Sequence, residues 1–237
     1  MTTTCWLFCS WLSLGLGVDG GVAPKAALSP EVKALVDRVQ AFYELTRDFT
    51  ADFRQDYAYA ASKRATSSSG TVTYRKPAQM RWEYAQPSPR TFVLTQDRVY
   101  MHDPEAKLVT RAALLTNQLS ASVTFLWGQG KLAEEFSITR KACSECEVVS
   151  EAHPRRGVLL ELIPLKPDPR FKKVLLEVDA GTAQVLKSTV VDPDGSVNAI
   201  TFLNLKTNVG VEEKAFKLSP PPGTQVQDFL GPDAGPR

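Results

Sequence analysis

The sequence predicts a mainly β protein with a few helices, built on one antiparallel sheet. Segments with a residue spacing of two follow one another over most of the chain, and their connections are too short for parallel crossovers. Several strands are also apolar on both faces, since Val174, Leu176 and Val178 alternate with Leu175. A sheet covered on one side would leave one face polar. We therefore expect the sheet to curve, to be covered by helices, or both.

One long amphipathic helix is predicted to begin after Ser29. Ser29 is a suitable N-cap, Pro30 suits the first helical position, and Glu31 favours the positive end of the helix dipole. Apolar residues then recur at helical spacing, at Val32, Leu35, Val36, Val39, Phe42 and Tyr43. This stripe requires an apolar surface to pack on.

Strands are predicted from Phe49 onwards, where the spacing changes to two. The first is FTADFRQ, and a polar loop, ASKRATSSSG, separates it from the next. The strands after that loop are SSGTVTYRKP, QMRWEYAQP and three short ones in RTFVLTQDRVYMHDPEAKLVTRA. Turn residues lie between them, so this half of the chain is an antiparallel meander.

The middle of the chain breaks the strand pattern. Bulky apolar residues between Ala112 and Phe136 predict two or three short helices. Strands resume at Phe136, with hairpin turns at 179–182 and 192–196, and a short helix is expected around 212–215. The total is about ten strands. We expect a single domain over residues 27–228 and a disordered tail at 229–237.

The first 26 residues resemble a secretory signal. CWLFCSWLSLGLGV, from Cys5 to Val18, carries no charge, is too short to span a bilayer comfortably and is followed by small residues. No Lys or Arg precedes Lys25, so the usual basic start is missing, and a buried N-terminal helix is the alternative. Export to the periplasm as a soluble protein is the favoured interpretation.

Composition argues against several function classes. The formal net charge is +2 and no basic run reaches five residues, so a nucleic-acid partner is not expected. The motifs of serine hydrolases, zinc proteases and nucleotide-binding loops do not occur. The only histidines, His102 and His153, are expected to be solvated surface residues. We expect neither an enzyme nor a cofactor or metal site.

Two of the four cysteines form the pair Cys143–Ser–Glu–Cys146. In an exported protein such a pair can form a disulfide. A redox centre would require a thioredoxin-like βαβ setting, whereas these flanks look like strands. A local disulfide or two ordinary thiols are favoured over catalysis, and zinc would need two further ligands.

Several short motifs, in order, resemble the family of the periplasmic outer-membrane lipoprotein carrier LolA. F-x-A-x-F-x-Q occurs from Phe49 to Gln55, and a glycine, basic-pair, proline and tryptophan pattern runs from Gly70 to Trp82. Later matches are Gln86-Pro87, Tyr100 with Asp103-Pro104, Leu162 to Pro164, Asp192 to Gly195, and Phe216 with Pro220, Pro221 and Gly223. No single motif is strong, but their order and spacing together are fairly specific.

The resemblance implies both a fold and a function. The fold is a strongly curved, unclosed antiparallel sheet, or half barrel, with helices covering its concave face. The function is to carry acylated lipoproteins across the periplasm, from an inner-membrane ABC transporter to the outer-membrane acceptor LolB. We expect the carrier to be a monomer.

The resemblance also implies roles for particular residues. In the family, an arginine before the proline bonds carbonyls of the helical lid, and here Lys76 holds that position with Arg75 beside it. Lysine lacks the guanidinium fork, so the latch is expected to be weaker, and alternation points Arg75 to the opposite face. The acyl-chain cavity is expected to be lined by Met80, Trp82, Phe92, Leu94, Phe125, Leu126, Leu176 and Phe202.

Other interpretations stay open at this point. The lining residues are equally consistent with a packed core, and Lys76 with an ordinary surface lysine. The same fold serves carriers of other lipids, such as glycolipids, and sensors of the RseB type, although a sensor would normally bring a second domain.

Overall fold

The computed structural model describes residues 28–114, 131–143, 146–150 and 153–229. The predicted signal segment, the lining candidates Phe125 and Leu126, and tail residues 230–237 lie outside the described residues.

Helix α1 spans Pro30–Leu45, as the spacing of its apolar residues predicts. Its N-cap is Ser29, whose hydroxyl oxygen accepts a hydrogen bond from the Val32 N–H at 3.4 Å. Beyond its last turn, the Thr46 N–H and hydroxyl both donate to the Phe42 carbonyl. One stripe of the helix is buried, formed by Val32, Val36, Val39 and Tyr43.

Thirteen strands make up most of the rest of the described chain. They are β1 Asp48–Ala58, β2 Ala65–Arg75, β3 Gln79–Gln86, β4 Arg90–Leu94, β5 Arg98–Asp103, β6 Leu108–Ala113, β7 Phe136–Lys141, β8 Glu147–Ser150, β9 His153–Pro164, β10 Lys173–Asp179, β11 Val185–Val191, β12 Val197–Thr207 and β13 Gln225–Phe229. Two short helical turns accompany them, α2 at Leu132–Glu135 and a 3₁₀ turn at Glu213–Phe216.

The strands form one unclosed sheet, in the order β13-β6-β5-β4-β3-β2-β1-β12-β11-β10-β9-β7, with β8 also pairing with β9. Pairing of β1 with β12 joins the first and second halves of the chain. The predicted mainly β, unclosed sheet is confirmed. One pair departs from the antiparallel prediction, because β13 runs parallel to β6 at the sheet edge. Phe229, which the sequence analysis assigned to the tail, is the last residue of β13.

The main core lies between α1 and one face of this sheet, here called the inner face. On β1 the inner face carries Phe49, Ala51 and Phe53, and the first two pair with Tyr74 and Val72 of β2. These residues and the buried stripe of α1 belong to one apolar cluster. A buried side chain of this size contributes about 1.5–3 kcal/mol, so α1 is held mainly by apolar burial.

The outer face is partly covered by the segment that leads to β13. The 3₁₀ turn packs beside β3, where the Arg81 guanidinium donates to the Ala215 carbonyl at 3.3 Å. Phe216 is buried, and Arg111 of β6 forms two hydrogen bonds with Asp228 of β13. The strand at the sheet edge is therefore held by side chains as well as by its backbone.

Strand β2 begins earlier than predicted. Part of the polar segment that was assigned to a loop pairs with β1, where Thr66 lies opposite Tyr57 and Ser67 opposite Asp56. Backbone pairing with β1 outweighs the weak strand preference of these small polar residues.

Candidate functional site

The inner face around β2 and β3 is densely apolar. Tyr74 and Met80 lie opposite each other on these strands and are 1% and 0% exposed. Trp82 follows on β3, opposite Val72, and is also buried. The sequence stretch from Tyr74 to Tyr84 therefore forms part of a continuous apolar wall that faces α1.

Aromatic rings extend this wall along the sheet. The Phe53 ring lies 4.9 Å from Trp82 and 5.0 Å from Tyr84, measured between ring centroids and in edge-to-face geometry. The Tyr84 ring lies 5.6 Å from Phe92, and Trp82 lies 6.4 Å from Phe202. We call these five residues the aromatic strip.

The structure brings most of the predicted lining residues to the inner face. Met80, Trp82, Leu94, Leu176 and Phe202 belong to the buried apolar cluster, and half-buried Phe92 packs against it. In this conformation the cluster packs directly against α1. A role of these residues in holding acyl chains stays a prediction.

Lys76 contacts the end of α1. Its ammonium group donates to the Tyr43 carbonyl at 3.0 Å and to the Glu44 carbonyl at 2.7 Å. Carbonyls in the last turn of a helix lack partners within the helix and carry its negative dipole end. The last turn of α1 contains no basic residue. Lys76 therefore supplies from the sheet a positive charge that α1 lacks.

Arg75 faces the other side of the sheet. Its guanidinium lies 3.8 Å from the Glu213 carboxylate of the 3₁₀ turn. This is the geometry that strand alternation predicts, because Tyr74 and Arg75 must point to opposite faces. Of the two basic residues predicted for the latch, only Lys76 contacts α1.

Farther along the same strands the inner face becomes polar. The Tyr84 hydroxyl donates to the Gln55 side-chain oxygen at 2.8 Å, and the Gln55 amide donates to Asn198 at 2.9 Å. Burial raises the pKa of Tyr84. Tyr57 continues the polar surface and donates to Asp192 at 2.8 Å. We call Gln55, Tyr57, Ser68, Tyr84 and Asn198 the polar end.

Sequence analysis missed the polar end. Its β2 residue, Ser68, was assigned at the edge of a loop, and only pairing with Gln55 places it on the inner face. The available signal was the change along β1 from Phe49, Ala51 and Phe53 to Gln55 and Tyr57 at the same spacing of two.

The cysteine pair is bonded. Cys143 and Cys146 form a disulfide with a Cα–Cα distance of 5.4 Å. It lies between β7 and β8, away from α1 in sequence. The bond is local, joining residues three apart in sequence, as one of the two favoured interpretations predicted.

Titratable groups offer little catalytic chemistry in the described part of the chain. No cluster of three His, Cys, Asp or Glu side chains there could hold a metal ion. His102 differs from its prediction, because its Nε2 atom is buried and has no hydrogen-bond partner among the described atoms. None of the helices in the described ranges has the length and apolar character needed to cross a bilayer.

Comparisons with known proteins agree on one family. The sequence model described as "Outer membrane lipoprotein carrier protein LolA" matches residues 44–219. The chain is 27% identical over 191 residues to an outer-membrane lipoprotein carrier protein of Dechloromonas aromatica, covering 81% of this chain and 86% of that protein. A carrier of the same name from Methylococcus capsulatus is 25% identical over 207 residues, covering 87% of this chain and 91% of the relative.

A solved structure supports the fold alone. The crystal structure of an uncharacterized conserved protein from Thermus thermophilus superposes with a TM-score of 0.52 at 13% identity, covering 83% of this chain and 98% of that one. Since the family model matches well over half of the sequence, the chain belongs to the LolA family of outer-membrane lipoprotein carrier proteins.

Proposed function

We propose that this protein is a periplasmic carrier of acylated lipoproteins. It shields their acyl chains between the inner face and its helices, after export directed by residues 1–26. It receives them from an inner-membrane ABC transporter and passes them to an outer-membrane acceptor equivalent to LolB. No step of this cycle requires the protein to act as an enzyme.

Shielding an acyl chain from water requires a large stabilising free energy. A buried methylene contributes about 0.8 kcal/mol, so an acyl chain of ~16 carbons costs roughly 13 kcal/mol to expose to water. Only an extended apolar surface can offset that cost. The inner face supplies one, because its apolar cluster runs from β3 across β1 to β10. Met80 lies within it and has the flexible thioether chain that repacks readily around different occupants.

The observation that carries the proposal is the contact between Lys76 and α1. Two hydrogen bonds join a single ammonium group to the Tyr43 and Glu44 carbonyls. Water can replace both when α1 moves, and acyl chains can replace the apolar contacts that the buried stripe of α1 gives up. Lys76 therefore acts as a latch that favours the empty, closed state over the lipid-filled state.

A lipid-retention measurement tests the proposal. The protein is purified from a periplasmic fraction, and its bound lipids and co-purifying proteins are measured by mass spectrometry. We expect triacylated lipoproteins, enriched about fivefold or more in Lys76→Leu, because loss of two charge-assisted hydrogen bonds weakens the closed state. Lys206→Leu, at an exposed position of β12, is the matched control and should retain the wild-type amount.

The arginine variant sharpens the test. In Lys76→Arg the guanidinium presents five donors in a fixed fork, which suits two neighbouring carbonyls. This variant should retain no more lipoprotein than the wild type. Recovery of a free glycolipid in place of lipoproteins would show a carrier of another lipid. Protein that is empty and takes up no fluorescent fatty acid would contradict the carrier proposal.

A further inference from the structure

The inner face changes character along its strands. On β1 the residues that share this face pass from Phe53 to Gln55 and Tyr57, and on β12 they pass from Phe202 to Asn198. β1 makes the change one pair earlier than β12, since Phe53 lies opposite Phe202, Gln55 opposite Ile200 and Tyr57 opposite Asn198. Both strands therefore end the inner face on side chains that can form hydrogen bonds.

A cavity of about 350 Å³ opens at this level. Of the polar end, Gln55, Tyr57, Ser68 and Tyr84 line it, together with Phe92 of the aromatic strip, whereas Asn198 lies outside the described lining. The Tyr84 ring belongs to both surfaces, because it stacks edge-on against Phe53 and Phe92 and its hydroxyl donates to Gln55. An occupant of the cavity can therefore continue onto the apolar wall without crossing water.

The polar groups keep hydrogen-bonding capacity beyond the bonds they make to one another. Gln55 uses one amide hydrogen for Asn198 and has a second. The Asn198 oxygen accepts the first of these and so holds the Gln55 amide in place beside the cavity. Ser68 adds a hydroxyl to the same lining. The surface therefore offers several donors to an acceptor-rich group.

The charge of the cavity restricts the kind of acceptor. Among the described lining residues, Arg90 is the only charged side chain. Its guanidinium lies 3.7 Å from the Asp103 carboxylate, so an anion would compete with an existing partner. Neutral carbonyl oxygens fit such a lining better than a phosphate, which favours unpaired Arg or Lys.

Resting on the proposed function, we infer that the polar end binds the ester linkage of an acylated glycerol group. An ester carbonyl accepts a hydrogen bond from the Gln55 amide, which Asn198 and Tyr84 hold in place. The acyl chains leave along the aromatic strip towards Trp82 and Phe202. The polar end thereby sets the direction in which a lipid lies on the inner face. Because Arg90, the charged side chain of the described lining, already lies beside Asp103, the polar end adds no affinity for the phosphate of a phospholipid.

A pair of matched probes tests this inference. The dissociation constants of 1,2-dioctanoylglycerol and 1,2-dioctylglycerol are measured by displacement of a fluorescent fatty acid from the purified protein. The second compound has chains of the same length but ether links, which lack carbonyls. We expect the wild type to bind the ester about tenfold more tightly, as one or two neutral hydrogen bonds allow. In the double variant Gln55→Leu and Tyr84→Phe the two dissociation constants should agree to about twofold.

Two further variants serve as controls for folding and for position. Tyr84→Phe alone retains the ring contacts and should lower the ester preference about threefold, which guards against misfolding of the double variant. Tyr100→Phe makes the same change on the outer face, where Tyr100 lines a separate cavity, and should leave the preference unchanged.

The outcomes separate the inference from the proposal on which it rests. Equal binding of ester and ether by the wild type, with fatty-acid uptake intact, would overturn the polar-end assignment and leave the carrier proposal standing. Tighter binding of dioctanoyl phosphatidic acid than of dioctanoylglycerol would also overturn it, in favour of an anion site. No binding of any chain would refute the carrier function itself.

Discussion

The two ends of the inner face are built from the same strands but differ in how they are closed. At one end Phe49, Tyr74 and Met80 are almost fully buried, and Lys76 bonds the last turn of α1. At the other, Gln55 and Tyr84 are joined by a part-buried hydrogen bond beside an open cavity. We call the first the closed end.

This difference indicates how the proposed carrier can be both stable and accessible. Burial at the closed end supplies folding free energy, and a lipid can enter there only if α1 moves. The polar end gives up some apolar burial and gains a surface that water already reaches. We expect the two ends to respond differently to the same chemical change, and three predictions compare them.

The largest difference in the free energy of unfolding between the two ends is expected when a phenyl ring is removed from each. Phe49 is 1% exposed and its ring lies 5.1 Å from Tyr74, so Phe49→Ala should lower the free energy of unfolding by about 3–5 kcal/mol. Phe92 is half-buried beside the cavity, and Phe92→Ala should cost about 1–2 kcal/mol. Urea denaturation of both variants measures the two losses of unfolding free energy. Equal losses would show that both ends are packed alike.

Alkaline pH should have the next largest effect, and it should weaken the closed end more than the polar end, because Tyr43 and Tyr74 are more deeply buried than Tyr57 and Tyr84. Burial raises the pKa of Tyr43 and of Tyr74 well above the ordinary phenol value. A group whose pKa is higher in the folded state contributes stability below its unfolded pKa and loses it as the pH rises. Above about pH 10 each such tyrosine should therefore reduce the free energy of unfolding by about 1.4 kcal/mol per pH unit.

Denaturation between pH 9 and pH 11 checks this slope. Tyr74→Phe removes one ionisable phenol and should flatten the decline relative to the wild type. Stability that stays level over this range in the wild type would mean that the two phenols ionise as freely in the folded as in the unfolded chain.

The smallest difference in stability between the two ends is expected when a single tyrosine hydroxyl is removed from each. The Tyr43 hydroxyl accepts a hydrogen bond from the buried Val185 N–H at 3.2 Å, so Tyr43→Phe leaves that donor without this acceptor and should cost about 1–2 kcal/mol. Tyr84→Phe leaves Gln55 beside the cavity, where water can replace the hydroxyl, and should cost below about 0.5 kcal/mol. Thermal denaturation of the two variants compares them directly.

Local patterns account for the elements that the sequence predicted well. The Ser29 cap and the apolar stripe determine where α1 begins and which face is buried. The spacing of two identifies β1 and the orientation of Phe49, Ala51 and Phe53. The opposed directions of Lys76 and Arg75 follow from the same alternation. These features depend on residues that are close in sequence.

Features made by distant residues could not be predicted in the same way. No strand was predicted at residues 225–229, and only Phe229 among them was assigned to the tail; they form β13 because β6 offers a free edge and Arg111 binds Asp228. The early part of β2 looks like a loop, and it becomes strand because β1 continues to Ala58 beside it. In both cases the deciding partner lies elsewhere in the chain, so local preference is outweighed.

By itself, the sequence determined the mainly β class, the long helix α1, the faces taken by Phe49, Ala51 and Phe53, and the family resemblance. Tertiary structure alone decided which carbonyls Lys76 meets, that the inner face is sealed at one end and polar at the other, and that the sheet acquires a parallel edge strand. The physical reason is that periodicity specifies the direction of a side chain, whereas its partner depends on which elements pack together.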